Sequence, residues 1–193
     1  MELCRSAFTI KPEEMISSHI MGGLGNMLFQ LAAGKSHSLT TNQTYKVSHD
    51  NMSYMKHSPF SEYESNIFKG IEVGNVDHIK TTHKEPSFRY HPIPDIKDII
   101  LDGYYQSEKY FMKHDSEIKN LFGPSKEVKD SLTDKYGDVS SHTSLHVRRG
   151  DYLQLQAYHP TCTAEYYDKG LELVTGKVLV FSDDIDWCRK TFQ

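Results

Sequence analysis

Two arginines, Arg148 and Arg149, follow a short apolar alternation in the segment HVRRGD, and the carboxylate of Asp151 comes two residues later. A guanidinium is planar and can hold two phosphate oxygens at once, which an ammonium group cannot do. Two further carboxylates, Asp183 and Asp184, follow a second apolar run, KVLVFS. Arginines beside such acceptors are suited to bind a diphosphate and the sugar or base attached to it.

The elements around these residues predict that the two clusters meet. Residues 143–147 alternate like a strand, Thr163 can cap a helix that Gly176 ends, and residues 177–182 form a nearly all-apolar strand. This is a βαβ unit, in which the strands are parallel and end at the same edge of the sheet. In open α/β sheets ligands bind outside those strand ends, so we predict the binding site there.

The first half of the chain indicates a second α/β region. Residues 16–21 predict a strand that runs through the turn GGLGN into a helix. Residues 40–92 show no sustained period and predict only loops and short elements. Order returns with a strand over 98–105, a helix from Ser107 to residue 122 and, after Gly-Pro-Ser, another helix over 126–137.

Composition bounds the classes of partner. The chain has 22 basic and 26 acidic residues, a net charge of −4, which argues against a surface that attracts nucleic acid or anionic lipid. The sequence shows neither a membrane-spanning apolar run nor a signal-peptide core. The three cysteines, Cys4, Cys162 and Cys188, are odd in number and widely spaced. They predict reduced thiols and, with no export signal, a cytoplasmic protein.

The HVRRGD segment resembles the HxRRxD motif of the α-1,2-fucosyltransferases, glycosyltransferase family 11. Four further stretches match the same family in the same order. They are GGLGN with Phe29-Gln30, GYYQS with Tyr110-Phe111, Tyr166-Tyr167, and FSDDI with Trp187-Cys188. With five motifs in register over residues 22–188, the chain is identified as a member of this family.

The resemblance implies an α/β fold of the GT-B type, with two Rossmann-like lobes. The expected division is an N-terminal extension over residues 1–14, an acceptor-side lobe over 15–138 and a donor-binding lobe over 139–193. A complete doubly wound lobe takes about 100 to 150 residues. The donor-binding lobe is therefore expected to be incomplete and the chain truncated at its C-terminus, with Met15 as a second candidate for the natural start.

The resemblance also implies a reaction. Fucose would pass from GDP-fucose to the 2-hydroxyl of a terminal galactose or similar sugar, with inversion at the anomeric carbon and without a metal or other cofactor. The implied partners are GDP-fucose and a glycan acceptor, and nucleic acid is not among them. A lipid-linked acceptor would place the protein at the periphery of a membrane.

The arginine motif acquires expected roles from the family. Arg148 would be the main contact of the β-phosphate and would stabilise the charge that develops on the GDP leaving group. Arg149 would assist it. The end of the strand would be oriented by His146 and Asp151.

The remaining motifs are expected to complete the donor site. Asp183 or Asp184 would face the guanine or the ribose of the nucleotide. The edge of the acceptor-side lobe would be formed by Gly23, Gly25 and Asn26, where glycines allow the backbone to approach the donor closely.

The sequence leaves three alternatives open. The base that takes the acceptor proton is Asp151, His146 or another group; a carboxylate held by two arginines accepts protons poorly, which favours a structural ion pair for Asp151. The triplet DID over 184–186 spells the DxD of metal-dependent glycosyltransferases with other donors, but its place just after a strand and at a helix start favours N-capping and helix-dipole complementarity. Ser182 or Asp183 is the predicted cap of that helix. The third alternative is an inactive remnant that binds nucleotide or glycan.

Overall fold

The computed structural model describes residues 14–52 and 59–192, which fall into two compact units, one ending at Pro124 and the other beginning at Ser125. Residues 1–13 of the expected N-terminal extension, and Cys4 with them, lie outside the described residues. The units divide before the helix over 126–136, whereas the sequence placed the boundary after it, at 138–139. Both positions are polar breaks that contain glycine, so local sequence signals did not distinguish them.

The first unit is built on a five-stranded parallel sheet. Its strands are β1 (Met15–Ser18), β2 (Thr44–Val47), β3 (Glu72–Val73), β4 (Thr81–Lys84) and β5 (Ile99–Asp102). Their order is β3-β2-β1-β5-β4, and Ile16 pairs with Tyr45 on one side and with Ile99 on the other. All residues of the central strand β1 are buried.

Three helices accompany this sheet: α1 (Leu24–Thr41), α2 (Ser61–Glu64) and α3 (Asp115–Phe122). Helix α1 connects β1 to β2 and packs against β1 and α3. Apolar side chains of the sheet, of α1 and of the segment after α2 form the larger of two buried clusters among the described residues of this unit, in which Ile16, Leu31 and Phe68 are fully buried. The parallel order with a helical crossover confirms the α/β prediction and is compatible with a Rossmann-like fold.

Residues 40–92 contribute strands that the sequence did not reveal. Strands β2 and β4 have four residues each and β3 has two. Three of the four residues of β4 are exposed, so no apolar alternation marks this strand. The extended state of such short segments is fixed by hydrogen bonding to the neighbouring strands rather than by their own composition.

The helix predicted from Ser107 to residue 122 is interrupted. Ser107 caps only one 3-10 turn, Glu108–Tyr110, and regular helix begins at α3. Phe111 leaves the helical backbone conformation, with φ −135° and ψ 0°. The interruption allows Tyr110 and Phe111 to pack on the core.

The second unit contains α4 (Lys126–Tyr136), β6 (Thr143–Val147), α5 (Ala164–Leu171), β7 (Val178–Ser182) and α6 (Ile185–Thr191). Strands β6 and β7 are parallel, with Val147 opposite Ser182, which confirms the predicted βαβ unit. Thr163 caps α5, as predicted. One face of the strand pair packs on Tyr167 of α5 and Cys188 of α6.

Two predictions from composition bear on the described residues. Within residues 14–52 and 59–192, no helix combines the length and the apolar character needed to cross a bilayer. Cys162 and Cys188 are free thiols, the first exposed and the second buried. The reduced state predicted for the three cysteines stays a prediction.

Candidate functional site

The two clusters predicted from the sequence meet at the carboxyl ends of β6 and β7. Arg148 Nη1 lies 3.1 Å from Asp183 Oδ2, and Arg149 Nε donates to Asp184 Oδ2 at 3.0 Å. The backbone N–H of Arg149 donates to Asp183 Oδ1 at 2.8 Å. The two strands end opposite each other, so the residues that follow them share one edge of the sheet.

Arg148 is the accessible arginine, with 46 % of its side chain exposed. Its Nη2 donates to Asp151 Oδ1 at 2.5 Å, while Nη1 faces Asp183. The guanidinium also lies over the ring of Tyr152, 5.2 Å from the centroid, and that ring stacks on His159. These contacts orient a cation that still faces solvent.

Arg149 is largely enclosed, with 16 % of its side chain exposed. Its guanidinium lies 4.1 Å from the centroid of the Trp187 ring, and its Nε is bound to Asp184. A cation between an indole face and a carboxylate ties the end of β6 to helix α6. The two arginines therefore differ in their surroundings. Arg149 connects β6 to α6, whereas the guanidinium of Arg148 is exposed to solvent.

Asp184 is the N-cap of α6, because its Oδ1 accepts the backbone N–H of Trp187 at 3.2 Å. The sequence predicted capping at this helix but assigned it to Ser182 or Asp183, and that assignment is wrong. Ser182 Oγ instead accepts the N–H of Asp184 at 2.9 Å. This bond turns the chain after β7, so that the helix begins one residue later than predicted.

The second carboxylate of the DxD triplet lies on the surface. Asp186 Oδ1 accepts Nη1 of Arg189 at 3.1 Å, while Asp184 is occupied by the helix end and by Arg149. Within the part of the chain that the structure describes, no three His, Cys, Asp or Glu side chains are grouped to hold a metal ion. Asp184 thus performs the N-capping that the sequence favoured for the triplet.

The carboxylate of Asp183 is bound by backbone N–H groups and by the guanidinium of Arg148. Burial alone raises the pKa of this carboxyl, but the backbone N–H groups of Arg149 and Gly150 and the charge of Arg148 outweigh burial and lower the pKa below its usual value of 3.8. A Cβ at residue 150 would lie 2.6 Å from Asp183 Oδ2, so any other residue there would require the carboxylate to shift. The sequence expected Asp151 to be held by both arginines, but Asp151 pairs with Arg148, and Arg149 Nε pairs with Asp184.

His146 lies apart from these ion pairs. It is exposed on β6 and pairs in register with Phe181 of β7. Because side chains alternate along a strand, His146 points to the face opposite to Val147, which is buried. Its expected role in orienting the strand end remains a prediction.

The GGLGN residues lie in the first unit, at the carboxyl end of β1. Gly22 has a φ of +79°, and a Cβ there would lie 2.3 Å from Asn26 Nδ2, so glycine is required at a position that the sequence did not single out. A Cβ at Gly23 or Gly25 would meet nothing within 4 Å. Asn26 Oδ1 accepts Nε2 of Gln106 at 2.7 Å. The use of Gly23 and Gly25 for close approach to a donor remains a prediction.

Two aromatic residues of the arginine site were given no role by the sequence. Tyr152 comes four residues after Arg148, and the 3-10 turn Asp151–Gln154 brings its ring beneath the guanidinium. Trp187 comes three residues after Asp184, one helical turn from the cap. The spacing of Asp184 and Trp187 is that of side chains on one helical face, and for Trp187 this was the available signal.

Comparisons with known proteins place this site in context. The model of glycosyl transferase family 11 matches residues 69–193, which contain four of the five motifs. An alpha-1,2-colitosyltransferase from Escherichia coli is 26 % identical over 211 residues, covering 91 % of this chain and 71 % of the relative. A galactoside 2-alpha-L-fucosyltransferase from Caenorhabditis elegans is 31 % identical over 102 residues, covering 49 % of this chain and 28 % of the relative.

A solved structure resembles the fold. The crystal structure of the fucosyltransferase NodZ from Bradyrhizobium matches with a TM-score of 0.52 at 16 % sequence identity. The match covers 94 % of this chain and 75 % of that one. At this identity the likeness concerns the arrangement of helices and strands.

Proposed function

The chain belongs to glycosyl transferase family 11, and from its arginine site we propose that it transfers fucose from GDP-fucose to the 2-hydroxyl of a terminal galactose or similar sugar. One observation carries the proposal: Arg148 is exposed and oriented by Asp151 and Asp183 at the carboxyl ends of parallel strands. The names of two relatives, an alpha-1,2-colitosyltransferase and a galactoside 2-alpha-L-fucosyltransferase, support the linkage.

Arg148 would act on the leaving group. As the bond between C1 of fucose and the β-phosphate oxygen breaks, its electron pair leaves with GDP, and the guanidinium stabilises the negative charge that develops. Of the two carboxylates on Arg148, Asp151 is 57 % exposed and Asp183 only 28 %. A phosphate is therefore expected to displace Asp151 and to leave Asp183 in place.

Arg149 and its partners would support the site from within the fold. Asp183 and Asp184, expected to face the guanine or ribose, are bound to the arginines. In the proposal these two carboxylates act on the donor through the arginines that they hold. The stacking of Arg149 on Trp187 keeps the strand end and helix α6 together while the ligand exchanges.

The acceptor hydroxyl would attack C1 from the face opposite to GDP, so the β-linked sugar of the donor becomes α-linked in the product. The hydroxyl proton passes to a base, for which Asp151 and His146 remain the candidates. The proposal assigns leaving-group stabilisation to Arg148, and no step in it requires a metal. A GT-B arrangement of the two units and a cytoplasmic location, at a membrane periphery for lipid-linked acceptors, belong to the same proposal.

A transfer assay with defined acceptors tests the proposed function. The chain is incubated with GDP-fucose and a β-galactoside, and we expect an α-1,2-linked product whose yield is unchanged by manganese or a chelator. A 2-deoxygalactoside should not react, whereas a 3-deoxygalactoside should. The GDP-sugar of colitose, which is fucose without its 3-hydroxyl, tests the donor. No transfer from either donor by folded protein would contradict the proposal and favour the inactive remnant.

A further inference from the structure

Glu85 follows directly on β4, and its carboxylate holds the loop that follows β5. Oε2 accepts the backbone N–H groups of both Tyr104, at 2.8 Å, and Tyr105, at 2.9 Å. The hydroxyl of Tyr110 lies 3.5 Å from Oε1. Successive backbone N–H groups that converge on one oxygen form an anion-binding nest, and here the anion is a side chain of the same unit.

The loop adopts a conformation that needs such support. Tyr105 has a φ of +51°, a left-handed conformation that is unfavourable for a tyrosine. Its ring is buried, and its hydroxyl donates to the carbonyl of His83 at 3.1 Å. A Cβ at residue 103 would lie 2.3 Å from Glu85 Cβ, so Gly103 is what lets the carboxylate reach the loop. Gly103 and the left-handed conformation of Tyr105 therefore both allow the Glu85 carboxylate to bind this loop.

The same loop is hydrogen-bonded to the GGLGN turn. Gln106 comes directly after Tyr105, and its Nε2 donates to Asn26 Oδ1 at 2.7 Å. On the other side, the amide of Gln30 accepts the N–H of Met21 at 2.9 Å and donates to its carbonyl at 3.1 Å. The turn is thus held at both ends. Because the oxygen of Asn26 is used by Gln106, its NH2 group remains as the donor for a ligand.

We propose that Glu85 is a positioning residue for the transfer reaction, acting through the 103–106 loop to hold the amide of Asn26 in place. The inference rests on the proposed function and on the expected position of the GGLGN turn close to the donor. Glu85 lies outside the five motifs, and only the contacts of the folded chain reveal it. Hydrogen bonds thereby connect Glu85, the 103–106 loop and the GGLGN turn.

Two substitutions and a matched control test the clamp, by which we mean the hydrogen bonds of the Glu85 carboxylate to the N–H groups of Tyr104 and Tyr105. Glu85→Ala removes both acceptor oxygens, Glu85→Gln keeps one oxygen for the two N–H groups, and Glu72→Ala removes a carboxylate that pairs with Lys46 elsewhere in the same unit. Amide hydrogen exchange at residues 104 and 105, measured without substrate, should be about tenfold or more faster in Glu85→Ala. It should be near wild type in Glu85→Gln and unchanged in Glu72→Ala.

Kinetics then separate positioning from simple support of the fold. In Glu85→Ala we expect kcat to fall on the order of tenfold with KM for GDP-fucose unchanged, because the arginine site lies in the second unit. Glu85→Gln should restore kcat. Gln106→Ala, which leaves the clamp intact but cuts the bond to Asn26, should lower kcat to a similar extent.

The outcomes are distinguishable. Faster exchange with wild-type kcat would overturn the positioning role, and unchanged exchange would overturn the clamp itself. Should Glu85→Ala fail to fold, Gln106→Ala decides, since wild-type kcat in that variant removes the link to the reaction. Lack of transfer by the wild-type chain contradicts the proposed function instead, and it is seen before any variant is made.

Discussion

Substitution of Asp184 separates the two interpretations of the acidic triplet at the start of α6. Oδ1 of this residue accepts the N–H of Trp187, and Oδ2 accepts Nε of Arg149. Asp184→Ala removes both contacts, whereas Asp184→Asn keeps a capping oxygen and loses the charge. Asp186→Ala is the matched control, because this carboxylate is 80 % exposed and pairs with Arg189 on the surface of the same helix.

The expected losses follow from these contacts. Removing an N-cap acceptor costs about 1 kcal/mol of stability. A hydrogen bond to a charged group contributes about 1.5 to 3 kcal/mol, and the lower half of that range applies because Asp184 is partly exposed. Asp184→Ala should therefore lose about 3 kcal/mol and Asp184→Asn about 1 to 2 kcal/mol. Asp186→Ala should lose less than about 0.5 kcal/mol, as for an exposed ion pair.

Urea denaturation followed by tryptophan fluorescence measures these differences. Trp187 is the only tryptophan in the chain, and it packs against Tyr167 and Phe192 in the second unit. The signal therefore reports the unit that carries the substitutions. We expect the midpoint to be lowest for Asp184→Ala, intermediate for Asp184→Asn and close to wild type for Asp186→Ala, with the slope m unchanged.

Equal losses for Asp184→Ala and Asp186→Ala would refute the reasoning from the cap and the ion pair. Asp184→Asn as damaging as Asp184→Ala would refute the separate contribution of the cap. Stabilisation of the wild-type chain by manganese, lost in both alanine variants, would favour the metal-dependent interpretation of the triplet instead.

Acidification and a glycine substitution test two other features. Burial lowers the pKa of His37 below its usual 6.5. As the pH falls, the unfolded chain therefore binds a proton at His37 before the folded chain does. The free energy of unfolding is highest above pH 6.5 and decreases as the pH falls below 6.5. His37→Gln should flatten the dependence of Tm on pH between about pH 7 and pH 5, and an equally steep fall in the variant would contradict this. Gly150→Ala brings a methyl group to 2.6 Å from Asp183 Oδ2. It should cost about 1 to 3 kcal/mol and weaken GDP binding, whereas wild-type Tm and affinity would show that the carboxylate moves aside at no cost.

The second unit was the more predictable half of the molecule. Strand β6 alternates, β7 is nearly all-apolar and Thr163 caps the helix between them. The helix ends at Leu171, earlier than Gly176, which the sequence predicted as its end. The strand patterns and the cap are local signals, and the parallel connection then places the strand ends together. The meeting of Arg148 and Arg149 with the carboxylates after β7 could therefore be predicted without coordinates.

The partners within the site depend on geometry that the sequence does not display. Asp183 binds the guanidinium of Arg148 and the backbone N–H of Arg149, where Gly150 leaves space for it. The cap falls on Asp184 because Ser182 turns the chain after β7. In the first unit, the short strands between residues 40 and 92 are defined by pairing, and no local pattern encodes the contact of Glu85 with a loop about twenty residues away.

Calorimetric titration with GDP tests the central claim, that Arg148 receives the diphosphate. Arg148→Lys keeps the charge and loses the planar guanidinium. Arg189→Lys is the control, because it makes the same change at another exposed arginine of the same unit. We expect the wild-type chain and Arg189→Lys to bind GDP equally with or without manganese, and Arg148→Lys to bind about tenfold more weakly, a loss of roughly 1.4 kcal/mol. Wild-type affinity in Arg148→Lys, or binding that requires manganese, would contradict the account.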